Sequence, residues 1–310
     1  MSNPNFPANL DIHASTGTIS HHPDHLDAHF SAEAQETAIR QYGIAGRVWE
    51  AAYAMTLFIS PSTTLEFGPT FLDATQADDT VTMIELGSGS GLVASTVAGL
   101  LKPGRDLFIA TDLPEVQEVC PLLETNLDSP SDQKGVIVQP LSWGNPADSA
   151  RLASLYFTDD DPSTSRKLTH IICSELVYFP ELLAPLLRTL LHLSSAPFTS
   201  PSAAHQPSLF ISYKIRSLAK ETAFWSAFGL WFDFQPVLMK NGSEKSHWQR
   251  FGADFDDATF LFVAHRRHES FDWKIPLSDP DLLGGVGAHG SDTRKGDDTF
   301  ENLLLMMMED

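Results

Sequence analysis

The sequence of 310 residues has few cysteines, few basic residues and no long hydrophobic run. Its two cysteines, Cys120 and Cys173, lie far apart, so we expect neither a disulfide framework nor a metal-binding cysteine pair, and a reducing compartment is the simpler interpretation. The first residues show no basic region followed by an apolar run, so no secretory signal is predicted. The most apolar helix-like stretch, residues 182–193, contains Arg188 and is too short to span a bilayer. We therefore expect no membrane segment and a cytoplasmic protein that can also be present in the nucleus.

Positive charge is scarce, because 20 Lys and Arg residues stand against 40 Asp and Glu residues and give a formal net charge of −20. A chain of this sign is repelled by a phosphate backbone, so a nucleic-acid partner is not expected. The charge favours encounter with a cationic partner such as a lysine-rich protein surface. The competing interpretation is that the acidity only keeps the protein soluble. A monomer is expected.

Composition divides the chain into three segments. Residues 1–32 are polar and include the stretch HHPDHLDAH. Histidines at this density can bind a metal ion, but no regular element fixes their geometry, so we predict a loose tail and no metal site. Residues 33–268 are predicted to form the folded domain. Residues 269–310 are acidic and rich in glycine, and we predict a mobile tail whose apolar end, LLLMMMED, can dock on the body.

Apolar runs and helical patterns alternate through the folded domain. We predict five strands that are each followed by a helix, at residues 81–86, 107–111, 136–138, 168–173 and 208–213. Two further strands are predicted at residues 232–238 and 259–265, and two helices precede the first strand. This alternation predicts an α/β fold with a doubly wound, mostly parallel sheet of seven strands. Ligands of such sheets bind at the carboxyl ends of the strands.

A glycine-rich turn, GSGSG, follows the first predicted strand and leads into a helix. Glycines there permit a sharp turn and a close approach to a ligand, and a helix N-terminus attracts a carboxylate or phosphate. The spacing G-x-G-x-G fits the dinucleotide fingerprint G-x-G-x-x-G less well. We predict that this turn and the acid before it form a cofactor site, which comprises Glu85, Gly87, Ser88, Gly89 and Gly91.

Three other side chains are candidates for the same site. Asp112 ends the second predicted strand, where an acid can accept hydrogen bonds from two ribose hydroxyls of either NAD or S-adenosylmethionine. Its alternative role is to cap the next helix, and the two roles can coexist. Trp143 can stack on an adenine, and Trp49 can close the site over a sulfonium cation. Packing in the core is the alternative for both tryptophans.

Taken together, these motifs resemble methyltransferase family 16, the seven-strand protein-lysine methyltransferases. The resemblance covers roughly residues 46–265 and is carried by GRVWEAA (46–52), IELGSGSGLV (84–93), TDLPEV (111–116) with a later Asn126, LSWG (141–144), SELVYFPELLAPLLRTL (174–190) and ISYKIR (211–216). It implies S-adenosyl-L-methionine as cofactor and the lysine side chain of a protein as methyl acceptor. Elongation factors and chaperones are recurrent substrates of the resembling family, and we favour an elongation factor. The cofactor contacts that the resemblance implies are Trp49, Gly87, Ser88, Gly89, Asp112, Trp143 and Ser174.

One motif departs from the family, because Glu175-Leu-Val-Tyr178 stands where Asp-x-x-Tyr is usual. The resemblance implies that Glu175 and Tyr178 are catalytic. A free lysine has a pKa of about 10.4, so the enzyme must hold the ammonium, let a proton leave and aim the lone pair. Phe179 and Trp225 are predicted to form an apolar wall that favours the neutral amine. Alternatively, Glu175 caps the following turn and Tyr178 packs in the core.

Other functions stay open at this point. A small-molecule N-methyltransferase would share the fold, since a fold does not fix the substrate. A nicotinamide-dependent oxidoreductase is disfavoured by the glycine spacing and the paired tryptophans. A non-enzymatic adaptor would keep the fold and the binding surfaces without catalysis. The segment Tyr213-Lys-Ile-Arg216 either shapes a substrate groove or is a set of solvated charges at a strand end.

Overall fold

The computed structural model describes residues 6, 10–15, 29–72, 79–113, 119–127, 135–158, 165–199, 206–242, 246–252 and 259–306. Two helices precede the sheet, as the sequence predicts. Helix α1, Ala32–Tyr42, is capped at its N-terminus by Ser31, whose side chain accepts a hydrogen bond from the Ala34 N–H. A 3-10 turn, Gly43–Gly46, connects α1 to α2, Glu50–Ile59.

The other helices and strands follow in chain order. They are β1 Leu65–Gly68, β2 Thr82–Leu86, α3 Leu92–Ala98, β3 Leu107–Asp112, α4 Val119–Leu127, β4 Val136–Pro140, α5 Pro146–Tyr156, β5 His170–Ser174, α6 Pro180–Leu193, β6 Ser208–Lys214, α7 Leu218–Trp231, β7 Phe232–Pro236, β8 Leu238–Asn241, β9 Gln249–Arg250, β10 Thr259–Arg266, α8 Asp279–Leu283 and α9 Thr299–Met306. All seven strands of the predicted sheet are therefore present, with boundaries that differ by no more than a few residues.

Seven strands form one sheet in the order β4-β3-β2-β5-β6-β10-β7. The first five are parallel to one another, and β10 runs antiparallel to both β6 and β7. The chain places β3 on one side of β2 and β5 on the other, so β2 lies at the point where the winding changes direction. This arrangement confirms the predicted doubly wound α/β fold and makes the carboxyl end of β2 the expected ligand position.

Helices cover both faces of the sheet. One core contains Leu152 of α5, Leu187 of α6 and Phe228 of α7, and the other contains Phe58 of α2 and Leu123 of α4. Every residue of β2 is buried, as expected for a parallel strand with helices on both faces.

A small antiparallel sheet, which the sequence analysis does not predict, joins β1, β8 and β9. Leu65 pairs with Asn241, and the Lys240 ammonium lies 2.7 Å from the Glu66 carboxylate across the two strands. Strand β7 ends at Pro236, and the chain continues into β8 of this second sheet. The predicted strand over residues 232–238 therefore spans the junction of two different sheets.

The chain beyond β10 differs from the predicted mobile tail over residues 269–306. Phe300 of α9 is fully buried, and its ring stacks on that of Trp225 with 4.8 Å between centroids. Asp279 of α8 accepts a hydrogen bond of 2.7 Å from the Arg188 guanidinium of α6. Leu282 of α8 is also fully buried, so two apolar anchors, Leu282 and Phe300, and one ion pair hold this acidic segment against α6 and α7. Because the anchors are widely spaced in sequence, no hydrophobic period marks the segment as folded.

Two further expectations concern a membrane and a metal ion. Among the described residues, no helix has the length and apolar character needed to cross a bilayer. Within the same ranges, no cluster of His, Cys, Asp and Glu has a geometry that holds a metal ion. Most of the stretch HHPDHLDAH lies outside the described residues, and its predicted lack of a metal stays a prediction.

Candidate active site

The carboxyl edge of the parallel strands brings most of the predicted site residues together. The glycine turn follows β2, Asp112 ends β3, Trp143 lies shortly after β4, and Ser174 ends β5. Neighbouring strands of a parallel sheet place their carboxyl ends side by side. The edge therefore gathers groups that are far apart in sequence.

The glycine turn has a backbone that other residues rarely adopt. Gly87, Gly89 and Gly91 have φ values of 60°, 54° and 92°. A Cβ added to Gly87 would lie 2.7 Å from Cδ2 of Leu176 and 3.1 Å from Cζ2 of Trp143. The absence of a side chain at Gly87 thus lets the Trp143 indole lie directly against the turn.

The Asp112 carboxylate is hydrogen-bonded to the glycine turn. One oxygen accepts the Gly89 N–H at 2.7 Å and the other accepts the Leu113 N–H at 2.7 Å. Burial raises the pKa of Asp112, while these two backbone donors oppose the rise. An ionised carboxylate has about four acceptor positions, so room for two further donors remains. The start of the next helix lies outside the described residues, so the alternative role as a helix cap stays untested.

Glu85 lies beneath the turn and is almost completely buried. Ser88 donates a hydrogen bond of 2.8 Å from its hydroxyl to the Glu85 carboxyl group. Burial raises the pKa of Glu85 to about 8, and the negative charge of Asp112 adds to this rise. Glu85 is therefore largely protonated at neutral pH when no ligand is bound.

The 3-10 turn between α1 and α2 packs against the glycine turn at this edge of the sheet. The carbonyl oxygen of Ala45 lies 3.4 Å from the position of a Cβ at Gly89. Trp49 is tied to the same turn, because its Nε1–H donates to the Ile44 carbonyl at 3.0 Å. The N-terminal helices thus contact the glycine turn rather than standing apart from the sheet.

Two guanidinium groups lie over the Trp49 ring, those of Arg47 and Arg216, at 4.4 and 4.8 Å from its centroid. The sequence analysis assigns this ring to the sulfonium of a cofactor. The structure shows that the ring is engaged with cations of the protein itself. Contact between Trp49 and a sulfonium stays a prediction.

Glu175 follows Ser174 directly and has an unusual backbone, with φ 61° in the region that favours glycine. Its carboxylate is buried and accepts two donors from distant elements. The Ala51 N–H at the start of α2 donates at 2.8 Å, and Nε of Arg216 donates at 3.0 Å. The alternative in which Glu175 caps the turn that follows it is wrong, because the carboxylate instead accepts a hydrogen bond from the first turn of α2.

The side chains around Glu175 differ in how well they match their predicted positions. Ser174 accepts a hydrogen bond of 3.1 Å from the Ser212 hydroxyl. Tyr178 is half-buried beside Phe179, with 4.6 Å between ring centroids, and burial raises the pKa of its phenol. Trp225 does not line this region, because it is fully buried among α7, the sheet and α9. Trp225 is therefore wrong as part of the predicted apolar wall, and Phe179 stays a prediction.

Glu50 lies in the same charged cluster but is not among the predicted site residues. Its carboxylate binds Arg216 at 3.0 Å and Arg47 at 2.5 Å. The stretch GRVWEAA contains Arg47 and Glu50 three residues apart, on either side of Trp49. This spacing of opposite charges could have indicated an ion pair beside the tryptophan. The partner across the fold, Arg216, has no such local signal.

A cavity of about 380 Å³ opens beside the glycine turn, between α1 and α4. It is lined mainly by polar side chains, among them Thr37, Ser90 and Asn126. The Asn126 amide donates to the Ser90 carbonyl at 2.7 Å and thereby holds α4 against the turn. The predicted cofactor residues are not among those that line this cavity.

Comparison with known proteins adds three similarities. The protein-lysine N-methyltransferase EFM6 of Saccharomyces cerevisiae is 25% identical over 187 residues, which cover 59% of this chain and 68% of that protein. The O-methyltransferase TomG of Streptomyces achromogenes, solved with its cofactor, is 8% identical with a TM-score of 0.43, over 79% of this chain and 91% of that one. TrmN of Thermus thermophilus is 15% identical with a TM-score of 0.36, over 61% of this chain and 45% of that one.

A family model described as lysine methyltransferase matches residues 32–228, which is more than half of the chain. The match includes α1 and α2, the glycine turn, Asp112, Trp143, and the stretch from Ser174 to Arg216. It confirms the family resemblance that the motifs indicate and disfavours the oxidoreductase. The chain belongs to the lysine methyltransferase family.

Proposed function

We propose that this protein transfers a methyl group from S-adenosyl-L-methionine to a lysine side chain of a cytosolic protein, with a translation elongation factor as the favoured target. The observation that carries the proposal is the convergence of three groups at the carboxyl end of β2. Gly87 lies against Trp143, and Gly89 is bonded to Asp112. Family membership supplies the acceptor class, and EFM6 is by its name a protein-lysine N-methyltransferase.

The residues at this edge fit the proposed cofactor. The Asp112 carboxylate has acceptor positions left for two ribose hydroxyls, and the Trp143 indole offers a flat apolar face beside the turn. Glu85 and Ser88 support the turn from below, while Gly91 starts α3. The bound cofactor supplies a methyl group activated by the sulfonium. The protein has to orient that group and keep water away.

The acceptor lysine needs groups that hold its ammonium and then its neutral amine. Glu175 supplies a buried carboxylate at the end of β5, and Tyr178 supplies a phenol that stays protonated because burial raises its pKa. A carboxylate attracts the ammonium, and a phenol oxygen can accept a hydrogen bond from the amine. We propose that both orient the nitrogen for in-line attack, which is a positioning effect more than base catalysis.

The proposed partner follows from the charge of the chain. The net charge of −20 favours a basic protein surface as the substrate and disfavours nucleic acid. We propose a monomer in the cytoplasm that meets its target there.

Radiolabelled S-adenosylmethionine mixed with the purified protein and a cell lysate tests the function. We expect label in a protein band, and acid hydrolysis should recover it as methyl-lysine. Glu175→Gln should reduce the labelling rate about a hundredfold while cofactor affinity, measured by calorimetry, stays within about twofold. Glu269→Gln, at an exposed position beyond β10 and away from this edge, is the matched control and should label like wild type.

Other outcomes separate the alternatives. Label only in small molecules would favour a small-molecule N-methyltransferase. Cofactor binding without labelling in any lysate would favour an adaptor. Full activity in Glu175→Gln would remove the proposed role of that carboxylate.

A further inference from the structure

Three charged side chains meet at the mouth of the proposed acceptor site. The Arg216 guanidinium lies 3.0 Å from a carboxylate oxygen of Glu175 and 3.0 Å from one of Glu50. Its side chain is 30% exposed, whereas that of Glu175 is only 4% exposed. Arg216 therefore reaches from the surface to a buried carboxylate and links it to α2.

The backbone aims Glu175 at this place. Its N–H donates to the Ser212 carbonyl at 2.8 Å, and its φ of 61° is strained for a residue with a side chain. Strained non-glycine residues persist where the surroundings hold them, and they cluster at functional sites. The two donors on the carboxylate, the Ala51 N–H and Arg216, are part of what holds it.

We propose that Arg216 is a positioning residue for methyl transfer, because its guanidinium holds the Glu175 carboxylate in place to receive the substrate ammonium. This inference rests on the proposed function, since it assigns a support to the same acceptor site. Arg216 need not touch the cofactor or the reacting atoms. It lies in the segment that follows β6. From the sequence alone, this segment either shapes a substrate groove or carries solvated charges at a strand end.

The electrostatics around Glu175 support this role. Burial raises the pKa of Glu175, and Arg216 and the Ala51 N–H oppose the rise, while the negative charge of Glu50 adds to it. Tyr213 of β6 is also in electrostatic contact with the carboxylate. Removal of Arg216 would leave burial and Glu50 to raise the pKa further. Less of the group would then be carboxylate, and its attraction for an ammonium would weaken.

A purely structural role for Arg216, as a clamp between α2 and the sheet, makes a different prediction. Loss of a clamp would reduce activity by the same factor at every pH. Arg47 offers a matched control, because it also lies over the Trp49 ring and also binds Glu50. In the described structure, the guanidinium that pairs with Glu175 is that of Arg216.

The test compares Arg216→Gln, Arg216→Lys and Arg47→Gln with wild type in the lysate labelling assay between pH 7 and pH 9. We expect Arg216→Gln to be slowed about tenfold at pH 7, because every unit by which the pKa of Glu175 rises above the assay pH leaves about tenfold less carboxylate. Its rate relative to wild type should recover towards pH 9. Arg216→Lys should restore most of the rate at pH 7, and Arg47→Gln should keep a constant ratio to wild type. A constant ratio for Arg216→Gln would overturn the inference.

A second measurement needs neither substrate nor cofactor. The unfolding free energy of Arg216→Gln should fall more steeply than that of wild type as pH rises from 6 to 9, since ionisation of an unpaired buried Glu175 destabilises the fold. Adding Glu175→Gln should abolish this extra slope. If the slope stays in the double variant, Arg216 acts through another group and the inference fails. If Arg216→Gln shows the slope but wild type labels no protein, the proposed function fails and the Arg216–Glu175 coupling stands.

Discussion

The Asp112 carboxylate and the Gly89 N–H are joined by a hydrogen bond of 2.7 Å that connects the end of β3 to the turn after β2. This bond fixes an acid beside Gly87 and Gly89, where the lack of side chains leaves space at the proposed ligand position. The end of β3 and the turn after β2 are therefore joined directly at the proposed cofactor site.

Asp112→Asn keeps the size of the side chain and removes its charge. We expect the affinity for S-adenosylmethionine to fall about tenfold to a hundredfold, because hydrogen bonds to a charged group are lost or weakened. Calorimetry on the purified variant measures this. Asp233→Asn, at an exposed position on β7 at the edge of the sheet, should bind like wild type. Unchanged affinity in Asp112→Asn would remove Asp112 from the cofactor site.

Gly87→Ala tests the space between the turn and Trp143. The new methyl group would meet Leu176 and Trp143 at 2.7 and 3.1 Å, and the residue would also have to hold φ 60°. We expect a loss of about 1–2 kcal/mol in unfolding free energy from the backbone alone, together with weakened cofactor binding. Gly104→Ala is a matched control, because its φ is 74° but no described atom lies within 4 Å of the added carbon. It should lose stability and keep its affinity. Equal affinity in both variants would contradict a ligand site at Gly87.

Glu85→Gln tests the protonation of the buried acid. The folded-state pKa of Glu85 is raised from 4.5 to about 8, so its contribution to stability is fully present below about pH 4.5 and is lost as pH rises through about 8. We expect the unfolding free energy of the cofactor-free wild type to fall between pH 5 and pH 8. The fall should be smaller in Glu85→Gln, as measured by denaturant titration. Glu36→Gln, on the exposed face of α1, should keep the wild-type slope. The same slope in Glu85→Gln and wild type would show that Glu85 titrates normally.

Phe300→Ala tests the packing of the C-terminal segment. Phe300 is fully buried against Trp225, so its truncation should cost about 3–5 kcal/mol of unfolding free energy. Leu305→Ala lies on the same helix at a position that is 61% exposed, and it should change stability by no more than about 0.5 kcal/mol. Chemical denaturation of the two variants makes the comparison. Similar small effects at both positions would restore the mobile tail that composition predicts.

The sheet was predictable because its signals are local. Each parallel strand is a short apolar run, and the glycine turn and Asp112 directly follow two of them, so their meeting at one edge follows from strand order. The small sheet was not predictable in the same way. Its strands β1 and β8 are far apart in sequence, and the four residues of β1 carry no clear alternation.

Contacts between side chains that are far apart in sequence were also not predictable. Glu175 and Arg216 could each be singled out from their motifs, but their contact depends on how β5 and β6 end beside α2. The prediction that Trp225 lines the acceptor pocket is wrong, because the sequence does not show which partners bury an aromatic side chain. The burial of Trp225 depends on Phe300, which lies far along the chain in an acidic segment.

The stacking of Phe300 on Trp225 also sets how the protein can be shortened. The family match ends at residue 228, within α7, and so excludes β7, β10 and α9. A chain cut at that point would expose the indole of Trp225 and an unpaired edge of β6, which is a surface that invites aggregation. Expression of a stable catalytic fragment therefore requires the residues through Met306, although the recognisable motifs stop far earlier.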